Sequence, residues 1–331
     1  MHLKDIFSTP VGLGGPVRAH GLVMVPLLWS GFAEMVHFDL VEEAISKGNA
    51  KITETTEGGE VPFLKIENKG DCPILILEGE ELVGGKQNRV VNTTVVVLAG
   101  STLEIPVSCM EAGRWDYRRK DFDSGEALFR AKSRAVQKES VMASLCADLS
   151  YRSDQGAVWN EVRQSLEEVA APSATSDYRA GRERVAHRIE DFVAALNPVE
   201  GQIGAIFVSA AGLLGLELLR ASDLFAKCAG KIVRSFAFEV ISSGDSDHIR
   251  TDDVAPWWEK ISDIPLSTHP APGAGEIVRL DTSDVIGSGL CWNTALVHFS
   301  CFPAVGSTRG KARTSSHRAT ASQRRERMMN K

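Results

Sequence analysis

The chain has 331 residues, 43% hydrophobic and 24% charged, which is ordinary for a globular protein and enough for two modest domains. Its longest apolar stretches, AIFVSAAGLLGLELL and TTVVVLAG, are broken by glycine and fall short of the roughly 18–20 residues that cross a bilayer, so no membrane partner is expected. The net charge of −6 hides an asymmetry. Residues 309–331 carry eight Lys/Arg against Glu326 alone, which leaves −13 on residues 1–308, and so acidic a body argues against specific nucleic-acid binding.

The opening MHLKDIFSTPVGLGGP lacks a basic segment leading into an apolar core, so no signal peptide is expected. Six cysteines, at 72, 109, 146, 228, 291 and 301, are spread along the chain with no C-x-x-C pair, which points to reduced thiols and a cytoplasmic setting. Residues 16–28 predict a first strand ending at Pro26. HFDLVEEAISKGNA predicts a short helix with Asp39 as N-cap, Glu42 at the third position and Gly48 closing it. From Lys51 to Cys109, short β-branched runs separated by Gly, Asn and Asp predict an antiparallel sandwich or barrel.

After Trp115 the composition shifts to Ala, Lys, Arg and Glu, and residues 120–196 read as three helices. Val158, Trp159, Val162, Leu166 and Val169 form an apolar stripe that Pro172 ends. GQIGAIFVSAAGLLGLELLR predicts a hairpin. The helix after it has Ser222 as a candidate cap and Leu224, Phe225, Cys228, Ile232 and Phe236 on one face. Residues 242–273, with Trp257 and Trp258, read as an acidic loop, and two or three strands follow. The fold class is therefore α+β. It comprises a β sandwich or barrel-like domain (1–118), a helical segment (119–196), a C-terminal α+β unit (197–305) and a basic disordered tail (306–331).

LEGEELVGGKQNRVVNTTVVV and IPVSCMEAGRW resemble the ARG-and-rhodanese-phosphatase-associated protein domain family, a domain of unknown function. The similarity begins at GPVRAHGLVMVPLL and returns in GQIGAIFVSAAGLLGLELL and KIVRSFAFEVI, covering most of residues 14–305. ARG denotes ADP-ribosylglycohydrolase. The resemblance thus implies a neighbourhood of nucleotide, NAD or ADP-ribose metabolism and does not specify a reaction.

The candidate site lies in those two motifs. Gly84 and Gly85 can bring backbone amides close to a ligand, and Lys86 and Arg89 can hold a phosphate or carboxylate. Gln87 and Asn88 can read polar edges. Cys109 and Glu111 share a strand face as a possible nucleophile and acid/base partner, with Arg114 and Trp115 following. Glu80 is a second acid/base candidate. Each has a plainer alternative: a solvated hairpin, a core thiol, and a tryptophan that caps the core. Glu78, Glu80 and Glu81 are better read as solvated or Arg-paired carboxylates than as metal ligands, because His20, His37, His187 and His298 are isolated. No metal or cofactor is assigned. His298, in an apolar strand, is expected to be a satisfied core histidine.

Two functions follow. One is binding or processing of a small anionic, nucleotide-like or ADP-ribose-like molecule. The other is a non-catalytic scaffold whose polar turns fix the architecture or a homo-oligomer interface. Burial discriminates between them: an open concave site favours the ligand, a closed network the scaffold.

Overall fold

The computed structural model describes residues 1–31, 36–56, 58–244 and 249–304, so the predicted tail, 306–331, lies outside the described residues. The first strands are β1 (Gly12–Leu13), β2 (Val17–Ala19), β3 (Leu22–Leu28) and β4 (Asp39–Leu40), which runs into helix α1 (Val41–Ser46). Eight strands follow: β5 (Ala50–Glu54), β6 (Phe63–Asn68), β7 (Ile74–Ile76), β8 (Glu80–Gly84), β9 (Arg89–Val91), β10 (Val95–Val97), β11 (Thr102–Cys109) and β12 (Asp121–Leu128). Helices α2 (Ala131–Asp148), α3 (Gln155–Glu168), α4 (Tyr178–Arg184) and α5 (Ala186–Ala195) come next. The hairpin β13 (Gln202–Ser209) and β14 (Gly212–Leu219) precedes α6 (Ser222–Ser243) and α7 (Val254–Ser262). Strands β15 (Ser267–Pro270), β16 (Glu276–Asp281), β17 (Val285–Trp292) and β18 (Ala295–Pro303) end the described chain.

These elements make an α+β fold with three sheets. Six strands close a barrel in the order β11-β6-β5-β12-β8-β9, all antiparallel. A nine-stranded antiparallel sheet runs β1-β3-β13-β14-β18-β17-β16-β15, with β2 also on β3. A small sheet, β10-β7-β4, holds a parallel pairing between β4 and β7. Strands β1, β2 and β3 therefore belong to the sheet that the C-terminal half builds: Leu22 faces Ser209 and Leu28 faces Gln202.

The sheet is covered on both faces, which is why β13 is buried at every position. Ala205 and Phe207 face the helices and the barrel, and the ring of Phe207 stacks on Phe236 of α6 at 4.0 Å. Ile206 and Val208 face the opposite way, toward Leu3 and α7. The barrel has its own core of Ile52, Leu64, Ile66, Leu82, Ile105 and Phe122.

Several local expectations need correction. β12 lies in the stretch expected to be helical, because Gly125 and Asp123 break helical continuity and the strand is needed to close the barrel between β5 and β8. Four helices, not three, follow it before Leu196. Val254–Ser262 is a helix, not a loop, burying Val254 and Ile261, with Trp257 and Trp258 packed on the Leu3 side of the core. Helix α1 starts one residue later than expected. Its Glu43 carboxylate, not that of Glu42, accepts from the Leu40 amide at 2.9 Å, and Asp39 pairs with Lys47 instead of capping. Ser222 is the first helical residue of α6 and makes no side-chain cap.

Candidate functional site

The two motifs meet at one end of the barrel. Strand β8 leads through Gly84 and Gly85 into β9, which pairs with the end of β11, so Arg89 lies opposite Cys109. Gly84 (φ +144°) and Gly85 (φ +48°) adopt torsions that other residues avoid. Their closeness serves the barrel wall. A Cβ on Gly84 would lie 2.2 Å from the Asp121 carbonyl oxygen, and one on Gly85 would lie 2.1 Å from the Phe122 ring. The glycines thus make room for β12.

Past the turn, the side chains bond mainly to one another, although Arg89 Nε and Nη2 have no hydrogen-bond partner among the described residues and its Glu54 ion pair is 3.7 Å long. Gln87 Nε2 donates to the Glu111 carbonyl at 2.7 Å, while its Oε1 accepts from Arg89 Nη1 at 3.1 Å. Asn88 Nδ2 reaches both Asp177 oxygens at 3.1 and 3.2 Å, and its backbone amide lies 3.4 Å from Glu111 Oε2. Arg114 donates through Nε to Glu111 at 2.8 Å and through Nη1 to the Gly85 carbonyl at 2.8 Å. Thr175 and Arg118 donate to the other Glu111 oxygen at 2.8 and 3.2 Å. Gln87, Asn88, Arg89 and Glu111 are at most 5% exposed.

This arrangement separates two neighbouring carboxyl groups. Burial alone would raise the pKa of Glu111, but the hydrogen bonds from Arg114 and Thr175 and the charges of Arg114 and Arg118 outweigh it and hold it below the ordinary value. Asp177, which bridges to Glu111 through the backbone, is raised by burial and by the charge of Glu111. A pair displaced in opposite directions is the electrostatic form of an acid and a base. Here the half-exposed Arg118 contacts both, at 3.2 Å and 3.7 Å.

The glutamates of LEGEEL go to three different helices. Glu78 pairs with Lys138 of α2. Glu80 accepts from Lys231 of α6 at 2.5 Å, with Ser124 also bonded to it, and Glu81 pairs with Arg182 of α4 at 2.9 Å. Burial alone would lower the Lys231 amine, but Glu80 and Glu42 outweigh it and raise it. All three glutamates are at most 3% exposed. Each is thus engaged by its own cation, and the three do not converge on one point.

The structure therefore brings Gly84, Gly85, Gln87, Asn88, Arg89, Glu111 and Arg114 together and places Glu80 elsewhere, beneath α6. Cys109 is buried, its backbone held by Gln155 at 2.8 and 2.9 Å. Burial pushes its thiol up to about 11 despite Arg89, so it is a neutral thiol at neutral pH. Trp115 does not cap the core: it is 43% exposed. Lys86 bonds the Gly58 carbonyl at 2.7 Å and lies 5.4 and 5.2 Å from the Trp115 and Tyr117 rings. His298 is the satisfied core histidine expected, bonded to Thr94 at 2.7 Å and Glu217 at 2.9 Å. Sequence reasoning missed Asp177, Arg118, Lys138, Arg182 and Lys231. Asp177, as the N-cap of α4, carried a local signal, and Arg118 lies close in sequence to its partner Glu111; Lys138, Arg182 and Lys231 are matched only through distant partners.

Among the described residues no helix is long and apolar enough to cross a membrane. No curated protein and no solved structure matches the chain. Residues 10–302 match the ARG and Rhodanese-Phosphatase-superfamily-associated Protein domain, ARPP-1, a span that takes in the barrel, the helices and the nine-stranded sheet. The chain belongs to the ARPP-1 domain family.

Proposed function

We propose that the paired motifs are an internal clasp and that the protein is a non-catalytic scaffold or interaction module of the reducing cytoplasm. One observation carries this reading: the polar residues of both motifs are buried and bonded mainly to other groups of the same chain. Such a network fixes one arrangement of the barrel and helices, and removing a member leaves buried partners unsatisfied. The cytoplasmic assignment rests on six cysteines that are all free thiols.

A second reading has its own observation, the exposed rim above the clasp. Trp115 and Tyr117 flank the Lys86 amine, and Arg118 is half-exposed over Glu111 and Asp177. Aromatic faces beside two cations suit an anionic, nucleotide-like or ADP-ribose-like molecule, with Glu111 and Asp177 as the carboxyl pair beneath. Glu80 and Cys109 are too deeply buried to touch a ligand held there.

Thermal-shift screening of the full chain against NAD, ADP-ribose, nucleotides and sugar phosphates separates the two. The scaffold reading expects no ligand shift and a large loss of stability in Arg89→Ala and Glu111→Ala. A ligand shift in the wild type that vanishes in Trp115→Ala and Arg118→Ala, with their unliganded melting unchanged, sinks it in favour of the rim.

A further inference from the structure

A second polar feature lies away from the motif turn, on the face of the nine-stranded sheet beneath α2. Glu217, Ser300, Ser288 and Arg279 are directly opposite one another across β14, β18, β17 and β16. Cross-strand partners share a face, so the four form one polar row through an otherwise apolar sheet. Helix α2 lays Arg134 and Lys138 on this row. Arg134 Nη1 donates to Glu217 at 2.5 Å, and Lys138 Nζ donates to Ser288 Oγ at 2.6 Å and to Glu78. All of these residues are at most 2% exposed.

The charges in this enclosure do not cancel. Arg134, Lys138 and Arg279 bring three positive charges, and Glu78 and Glu217 two negative ones. His298 bonds Thr94 through Nδ1 and Glu217 through Nε2 and brings no negative charge to the enclosure. Asp281 also acts on Arg279, but it is exposed and screened by solvent. Burial lowers the Lys138 amine to about 8, with Glu78 opposing and Arg134 and Arg279 adding to the drop. The donors are in excess as well. Arg134 Nε and Nη2, Arg279 Nε and Ser300 Oγ are buried without a hydrogen-bond partner among the described residues. Glu78 Oε1 and Gln137 Oε1 are unpartnered acceptors, which water can satisfy. Water cannot neutralise the extra positive charge, and an uncompensated buried charge is costly.

We propose that this enclosure is a binding site for one small monovalent inorganic anion of the halide class, held by Arg134 and Arg279 with Ser300 as a further donor. Voids in a close-packed interior are rarely larger than a water molecule, which rules out a larger oxyanion or an organic acid. The ion would join α2, the sheet and, through Lys138, the first glutamate of the motif.

Crystals of the full chain soaked in sodium bromide and measured at the bromine absorption edge test this directly. An anomalous peak in hydrogen-bonding reach of Arg134 and Arg279 is the expected result. Peaks confined to the surface, with density in the enclosure that water explains, overturn the proposal. In solution, melting in bromide against gluconate at equal ionic strength should differ by on the order of 2–4 °C. Arg279→Gln, which removes the extra charge, should abolish the difference. A wild-type melting temperature indifferent to the anion also overturns the proposal, and the crystal measurement stands even where the variant fails to fold.

Discussion

The clasp at the barrel end and the polar row beneath α2 use the same residue types in opposite ways. In the clasp, Glu111 receives donors from Arg114, Thr175, Arg118 and the Asn88 amide, and Arg118 keeps one side in water. Both regions hold arginine nitrogens without a protein partner, those of Arg89 in the clasp and of Arg134 and Arg279 in the row, but only in the row do fully buried cations outnumber the carboxylates. Charge near the surface can be completed by a mobile arginine and solvent, whereas charge under a helix must be completed from within. The two regions share one segment, because Glu78 enters the row and Glu80, Glu81 and Asn88 stay at the barrel.

That contrast can be broken at its strongest point first. Glu78→Ala leaves Lys138 buried without its carboxylate and should cost about 3–5 kcal/mol in urea unfolding. A loss below about 1 kcal/mol would mean that water reaches the row and the contrast is false. Glu111→Gln keeps the shape of the clasp but weakens its charged hydrogen bonds, with an expected cost of about 1–3 kcal/mol. The same variant sharpens the pH comparison. Because the folded pKa of Glu111 is lowered from 4.5, its stabilisation is fully present above pH 4.5 and is lost as pH falls below it. The wild type should therefore lose stability more steeply than Glu111→Gln over that acid range, and equal slopes would remove the charge argument. The smallest effect belongs to Arg119→Ala. Its pairs with Asp121 and Asp123 are exposed, and the change should stay within about 0.5 kcal/mol.

Much of the architecture is legible in residue pattern, and the site is legible in part. The strand-rich run after Lys51, the hairpin at β13 and β14, and the apolar face of α6 all carry local periodicity. So does the meeting of KQNR with CMEAGR, through antiparallel neighbours. β12 was hidden because DFDSGEAL lacks β-branched residues and is held by barrel closure, a property of the whole sheet. Helix α7 was hidden by its proline and paired tryptophans. The burial of Glu78, Glu80 and Glu81 could not be read locally, because their partners Lys138, Lys231 and Arg182 lie 60, 151 and 101 residues further on. A glutamate beside such a partner has the same local sequence as one in water.

The placement of β3 next to β13 also bears on synthesis. Every barrel strand falls between Ala50 and Leu128, so the barrel can close early on a growing chain. Leu22 to Leu28, apolar and made before the barrel, has its central partner only once Ser209 has emerged. At about 5–20 residues per second that delay is roughly ten to forty seconds. For that interval the β13-facing edge of an apolar strand, paired only with β1 and β2, is exposed on the nascent chain, in the form that chaperones bind and that aggregation starts from.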